Sequence, residues 1–176
     1  MRTISKEHIS ALEKEIIKQI CKKSYADYVE YVHDGLYKHA KHTRFICNLL
    51  QKSIENGSKR IIINLPPRHS KSMTITETFP SFFLGNFPNK SVITVAYGDD
   101  LADRFGRYNR QKVNVYGKEI FDISVSREKA SVTEWSIAGH RGGMRSVGIG
   151  GSITGHGADL MIIDDPVKNW EQATSR

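Results

Sequence analysis

Long apolar runs are missing from this sequence: no stretch approaches the roughly 20 consecutive apolar residues needed to cross a bilayer. The amino-terminal MRTISKEHIS is charged throughout and lacks the apolar segment of a secretory leader. The expectation is a cytoplasmic protein with no membrane anchor. Cysteine is scarce as well. Cys21 and Cys47 stand far apart, outside any Cys-x-x-Cys spacing, so a disulfide framework or a zinc site has nothing to rest on and a reducing compartment is the default. His39 and His42 lack a matching third ligand and are read as solvated rather than metal-bound. Internal repeats, low-complexity tracts and linkers are absent. A chain of 176 residues suits one domain with a real core, not two of ordinary size.

Positive charge, by contrast, is in excess. Lys and Arg outnumber Asp and Glu by 26 to 19, a formal +7, and most of the surplus lies in the first sixty residues. That balance fits a polyanionic partner such as nucleic acid. It fits a solvated positive face equally, because no Lys/Arg-rich block stands out. Arg104, Arg107 and Arg110 recur at three-residue steps and are read as a solvated face, with DNA phosphates or a neighbouring subunit's nucleotide as the alternative.

Periodicity divides the chain into an N-terminal helical segment, residues 1–58, and a core, residues 59–176. From Lys6 to Lys23 the apolar positions Ile9, Leu12, Ile16, Ile17 and Ile20 follow helical steps, and Thr43 to Ile54 repeats the pattern up to a C-cap at Asn56-Gly57. The aromatic-rich YADYVEYVHDGLYKHAKH between them is compatible with helix or loop. After Gly57 the character changes. Arg60-IIIN reads as a buried strand, LPPRHSK as a loop, Ser72 to Leu84 as a helix and SVITVAY as a second buried strand. Gly98-Asp99-Asp100 then caps a helix from Leu101 to Val115. WSIAG and MRSVGIGG, separated by HRGG, read as a hairpin, and Asp159-LMII as a last buried strand. Strand alternating with helix implies right-handed parallel crossovers.

Two stretches carry chemistry. In IIINLPPRHSKSMTI a strand, a short loop and a helix beginning at Lys71-Ser72 would gather backbone N–H groups around one point, which suits an anion. The phosphate-loop pattern G-x-x-x-x-G-K-[ST] asks for glycine where Leu65 and Ser70 stand, so an ordinary strand-loop-helix connection is the alternative. In MIIDD, Asp164 and Asp165 close a buried strand at the sheet edge where ligands sit in open α/β folds. A nucleotide hydrolase needs one carboxylate there for Mg²⁺ and a second group to orient water. An Asp-Asp-Pro turn that merely caps the strand is the plain alternative. The two stretches together, in an alternating α/β pattern, favour the hydrolase reading.

INLPPRHSKS, VITVAYGDDLADRFGR and GGSITGHGADLMIIDDPVKN together resemble the ATPase half of the large terminase subunit of tailed bacteriophages and prophages, from roughly His39 to Glu171. The resemblance implies a P-loop NTPase of RecA-like (ASCE) type, with a mostly parallel sheet and flanking helices. It implies ATP and Mg²⁺ as cofactors, and a motor that pumps double-stranded DNA into a procapsid in the host cytoplasm. Its implied partners are a portal protein, a small terminase subunit and further copies of itself on the portal. By the same resemblance Pro67, Arg68, His69, Ser70, Lys71 and Ser72 line the nucleotide. Lys71 binds the β- and γ-phosphates, Ser72 and Asp164 hold Mg²⁺, Arg68 touches the γ-phosphate, and Asp165 positions water. Arg68 lies three residues before the lysine where some terminases have it four before, and Asp165 stands where motor ATPases more often have glutamate.

The wider ATPase class inserts a later strand between the acid-bearing strand and the one feeding the loop. That strand, the coupling motif and the nuclease domain are not found in these 176 residues, so the expectation is an N-terminal fragment, from a truncated gene, a partial reading frame or a split protein, with its core exposed on one side. Two other readings stand beside the motor: a helicase-like translocase on the same core, and a remnant that only binds nucleotide or a partner. His69 and His156 lie in the loops expected to converge on the nucleotide, as phosphate contacts or loop-shaping residues. Trp135 and Trp170 are read as packing.

Overall fold

Ser24 breaks the first helical pattern and starts the next. Its hydroxyl accepts the Asp27 N–H at 3.3 Å, an N-cap that turns the chain from α1 (Lys6–Lys23) into α2 (Tyr25–Tyr31). The computed structural model describes residues 6–55, 57, 59–151 and 157–167. The chain forms two compact units, Met1–Ile62 and Ile63–Arg176.

In the first unit α2 and α3 (Lys41–Glu55) pack around a core of Tyr25, Tyr28, Val29, Tyr37 and Cys47. The aromatic-rich stretch is thus a short helix followed by a turn. Gln51 staples the unit: its Oε1 accepts the Tyr25 N–H at 2.8 Å and its Nε2 donates to the Lys23 carbonyl at 2.7 Å. Burial pushes the Cys47 thiol up to about 12, an inert group packed as a small hydrophobe. His39 is not solvated as expected. Its Nε2 bonds the Ala26 carbonyl at 2.8 Å, and no cluster of three or more His, Cys, Asp or Glu gathers among the described residues. α1 is a helix as expected; among its described side chains Leu12, Ile16, Ile17 and Ile20 are exposed and Cys21, in the last turn, is buried. Gly57 takes a positive φ, as a C-cap requires, while Asn56 lies outside the described residues.

The second unit is α/β. Its strands are β1 (Ser91–Ala96), β2 (Val125–Ala130), β3 (Glu134–Ile137), β4 (Gly143–Gly148) and β5 (Leu160–Ile163). They form one sheet in the order β2-β3-β4-β1-β5. The apolar run of β1 pairs in parallel with β4 on one side and β5 on the other, with Thr94 opposite both Ser146 and Ile162. β2–β3 and β3–β4 are antiparallel, so the sheet is mixed rather than mostly parallel. Short connections such as Ala138–Gly142 can only reverse the chain, whereas parallel pairing needs a longer crossover. The expected hairpin is present, and β2 extends it.

The expected strand at Arg60-IIIN does not form. Residues 59–66 have no ladder partner, and Ile62 is 89 % exposed. A strand exists only against another edge, and the edge these residues need is not offered. Correspondingly β5 is the outer strand, and its Met161 and Ile163 are exposed while Ile162 is buried.

The single helix expected over Ser72–Leu84 is two: α4 (Lys71–Ile75) and α5 (Phe79–Asn86). Pro80 has no N–H to give the carbonyl of Thr76 one turn earlier, which breaks the ladder there. α6 (Asp99–Lys112) follows β1 and packs on β4 and β1, passes through a π-helical turn at Val113–Gly117, and leads into α7 (Lys118–Phe121). Gly106 permits the close approach of α6, because a Cβ there would sit 2.1 Å from the Val132 carbonyl oxygen. Trp135 packs as expected and donates to the Gly106 carbonyl at 3.2 Å. The arginine stripe is not uniformly solvated. Arg104 pairs with buried Glu77 at 2.8 Å, and Arg110 donates to the Ala130 carbonyl.

Lys112 extends this buried charge cluster. Burial is the larger influence and draws its ammonium from 10.5 down to about 8, against the opposing pull of Glu77. Glu77 itself is raised by burial, with Arg104 and Lys112 pulling the other way. Between about pH 8 and 10.5 the unfolded chain binds the Lys112 proton and the folded chain does not, so this contribution to stability rises with pH. Below that window the cost of the buried charge is fully present. Lys112→Met is predicted to remove the slope. Urea unfolding at pH 7 and pH 9.5 should show the parent gaining about 2 kcal/mol more than the variant.

Candidate functional site

The carboxyl end of β5 and the amino end of α4 meet although 94 residues separate Lys71 from Asp165. Parallel pairing of β5 with β1 carries Asp164 to the rim of the sheet, and the loop 65–70 delivers Lys71 to the same point. The Lys71 ammonium lies 3.1 Å from Asp164 Oδ1 and donates a short hydrogen bond to Asp165 Oδ1. Burial by itself would lower the Lys71 pKa. The hydrogen bonds and charges of Asp165 and Asp164 outweigh it, and the pKa is raised. The lysine is therefore a fixed cation, gripped by two anions.

The two carboxylates are not equivalent. Asp164 is buried at 5 % exposure, and its Oδ2 accepts the Thr76 hydroxyl at 2.8 Å. Asp165 is 60 % exposed in its side chain and turns outward at a φ of +45°. One acid is built into the protein and the other faces solvent.

The loop explains the missing glycines. Arg68 and Ser70 adopt φ values of +63° and +59°, the left-handed region that glycine enters without strain. Ser70 thus occupies the backbone conformation that the glycine before the lysine would have taken. Of the five non-glycine residues with positive φ among the described residues, the other three are aspartates, which tolerate this region better. The strain at Arg68 and Ser70, of order 1–3 kcal/mol each, is concentrated beside Lys71. Pro67, Arg68 and His69 are all exposed, and His69 bonds within its own loop, Nδ1 to the Pro67 carbonyl at 2.9 Å. That favours a loop-shaping role for His69. Ser72 sits in the first turn of α4, and its backbone carbonyl accepts the N–H groups of both Thr76 and Glu77. His156 and Trp170 lie outside the described residues.

Sequence reasoning missed Thr76. It lies one helical turn beyond Ser72 and so on the same face, and it is fully buried. The available signal was a hydroxyl four residues ahead of a proline, one of three threonines in Thr74-Ile-Thr76-Glu-Thr78. Asn109 and the Glu77–Arg104 pair were missed as well, since nothing in α6 announces that its polar residues point inward.

The Asp164 carboxylate and the Thr76 hydroxyl on it are oxygen groups, the kind a hard cation takes. No three-residue metal cage forms among the described residues. A single buried carboxylate of this kind suits a hard divalent cation that keeps most of its own water. The strain at the loop gives a direct test. Ser70→Gly should raise stability by about 0.5–1 kcal/mol, the relief of the left-handed penalty less the greater entropy of glycine in the unfolded chain, whereas Ser70→Val should lose about 1–2 kcal/mol. Thermal unfolding of the two variants beside the parent measures both.

No curated protein and no solved structure matches the chain. The family model for the terminase large subunit, T4likevirus-type, N-terminal, matches residues 62–176, the loop, β1 and the acid pair included. By a match that spans well over half its length, this chain belongs to the family of large terminase subunits of phage DNA packaging, through their N-terminal domain.

Proposed function

We propose that the chain is the ATPase part of a viral packaging motor, of P-loop NTPase type, in which Mg²⁺-dependent ATP hydrolysis drives double-stranded DNA into a procapsid. The observation that carries this reading is the contact of Lys71 with Asp164 and Asp165 at one end of the sheet, in a chain of the terminase family. A lysine after a strained loop and two acids at a strand end are the minimum set for phosphoryl transfer, in which positioning and charge stabilisation do most of the catalysis.

In this reading Lys71 leaves the acids for the β- and γ-phosphates when nucleotide binds. Ser72 and Asp164 would hold magnesium, which would supply charge neutralisation at the phosphoryl group. Arg68 adds a second positive charge at the γ-phosphate, and Pro67, His69 and Ser70 shape the loop. Asp165, exposed and off the sheet, orients the attacking water. The portal protein, the small terminase subunit and further copies on the portal are the partners that go with this role. The host cytoplasm is the compartment that goes with this role, and no helix among the described residues is long and apolar enough to cross a membrane.

A second reading is favoured by the open edge of β5 and by the unpaired residues 59–66: a chain that binds nucleotide without turning it over. ATP turnover decides between them. Steady hydrolysis by the parent, abolished by Lys71→Ala while the fold persists by circular dichroism, supports the motor, and binding without turnover supports the second reading. If the protein neither binds nor hydrolyses ATP, both fail.

The lysine–acid contact makes a further prediction. Asp165→Asn removes an exposed ion pair worth at most about 1 kcal/mol, so ATP binding without magnesium should tighten up to about fivefold while turnover is lost. Equilibrium titration with a fluorescent ATP analogue measures the first and phosphate release the second.

A further inference from the structure

Pro80 leaves the Thr76 carbonyl without its helical donor, and the protein supplies one from another element. Asn109 of α6 is fully buried. Its Nδ2 donates to the Thr76 carbonyl at 2.8 Å and to the Phe105 carbonyl of its own helix at 2.9 Å. Its Oδ1 accepts the Ser81 N–H at 3.0 Å, so one amide bridges the whole break between α4 and α5. From the other side of the same residue, the Thr76 hydroxyl donates to Asp164 Oδ2 at 2.8 Å, again fully buried. Glu77, the next residue along, is tied to α6 a second time through Arg104 at 2.8 Å.

We propose that Thr76 and Asn109 are positioning residues for Asp164. Asn109 fixes the Thr76 backbone, and the Thr76 hydroxyl then holds one carboxylate oxygen, leaving Oδ1 turned toward Lys71 and toward an incoming cation. The inference rests on Asp164 being the cation-associated acid. Buried hydrogen bonds of this kind orient a metal-ligating carboxylate, and losing one lowers metal affinity about 10–100-fold. The arrangement differs from a simple repair of the proline break, which needs the Thr76 carbonyl but makes no use of its hydroxyl. It also joins the acid to α6, so that the carboxylate and that helix form one rigid piece.

The test is Mn²⁺ binding to the full chain in the presence of ADP, followed by the loss of the free-ion signal in electron paramagnetic resonance. Thr76→Val keeps the shape and removes the hydroxyl; Thr76→Ser keeps the hydroxyl. Thr76→Val should weaken Mn²⁺ about tenfold or more, with Thr76→Ser within about twofold of the parent. Asn109→Asp replaces the donor by an acceptor and should weaken Mn²⁺ likewise. The double variant Thr76→Val with Asn109→Asp should lose little beyond either single change, because the two residues act in series. Melting temperatures of all variants separate positioning from general destabilisation, and should Asn109→Asp fail to fold, the Thr76 pair alone carries the test. Thr76→Val binding Mn²⁺ as the parent does, with only its melting temperature lowered, overturns the inference and leaves the ATPase reading intact. A parent chain that takes up no Mn²⁺ with ADP overturns both.

Discussion

β1 is the strand on which the rest of the second unit depends. From Val92 to Ala96 it is buried throughout, and it has a parallel neighbour on each side. Parallel strands end on the same side of a sheet, so the carboxyl ends of β1, β4 and β5 open on one rim. The start of α6 and the acid pair are there for that reason. The hydrogen bond between Thr94 and Ser146 at 2.8 Å joins β1 to β4 beneath α6 and keeps two buried hydroxyls satisfied. A one-residue slip of β5 along β1 would turn Asp164 outward and Met161 inward, and the site would be lost with no change in composition.

At that rim, opposed charges and strained backbone hold each other in place. Asp164 is buried, and a buried carboxylate needs a cation or donors to offset its lost hydration. Lys71 and Thr76 supply both. The lysine can reach Asp164 because Arg68 and Ser70 accept left-handed backbone just before it. The ion contacts and the fixed start of α4 compensate the loop's strain, which is why this geometry persists without glycine. A second buried cluster, Glu77 with Arg104 and Lys112, lies on the α6 side of the same segment, and its cost in hydration is written in the depressed lysine and the raised glutamate.

The elements that could be read from periodicity were those whose partners are local or whose apolar run leaves no choice. α1, α3, β1, β5 and the β3–β4 hairpin are of this kind. Arg60-IIIN has the composition of a strand as good as that of β1, yet it makes none, because strand formation is a property of a pair of edges rather than of a segment. The mixed character of the sheet was likewise hidden in β2, whose sequence VSREKA carries a weak strand pattern and is drawn into place by its neighbour. α1 is the converse case, a helix correctly read whose apolar face is open. Its stripe is amphipathic, but whether such a face is covered depends on what lies opposite, and its exposed isoleucines show that periodicity does not tell.

By itself the sequence determined the chemistry: a lysine and a hydroxyl after a proline-containing loop, two acids after an apolar run, and the order of elements that makes their meeting possible. Those are properties of residue type and spacing, which survive in a string of letters. Only the tertiary structure decided how the acids divide their surroundings, one buried on Thr76 and one exposed, and that Ser70 takes the glycine's backbone angle. It alone decided that Asn109 answers the carbonyl orphaned by Pro80. The reason is physical: burial, hydrogen-bond partners and backbone angle are set by what packs alongside a residue, and for this site the packing comes from α6 and β5, elements far away in the chain.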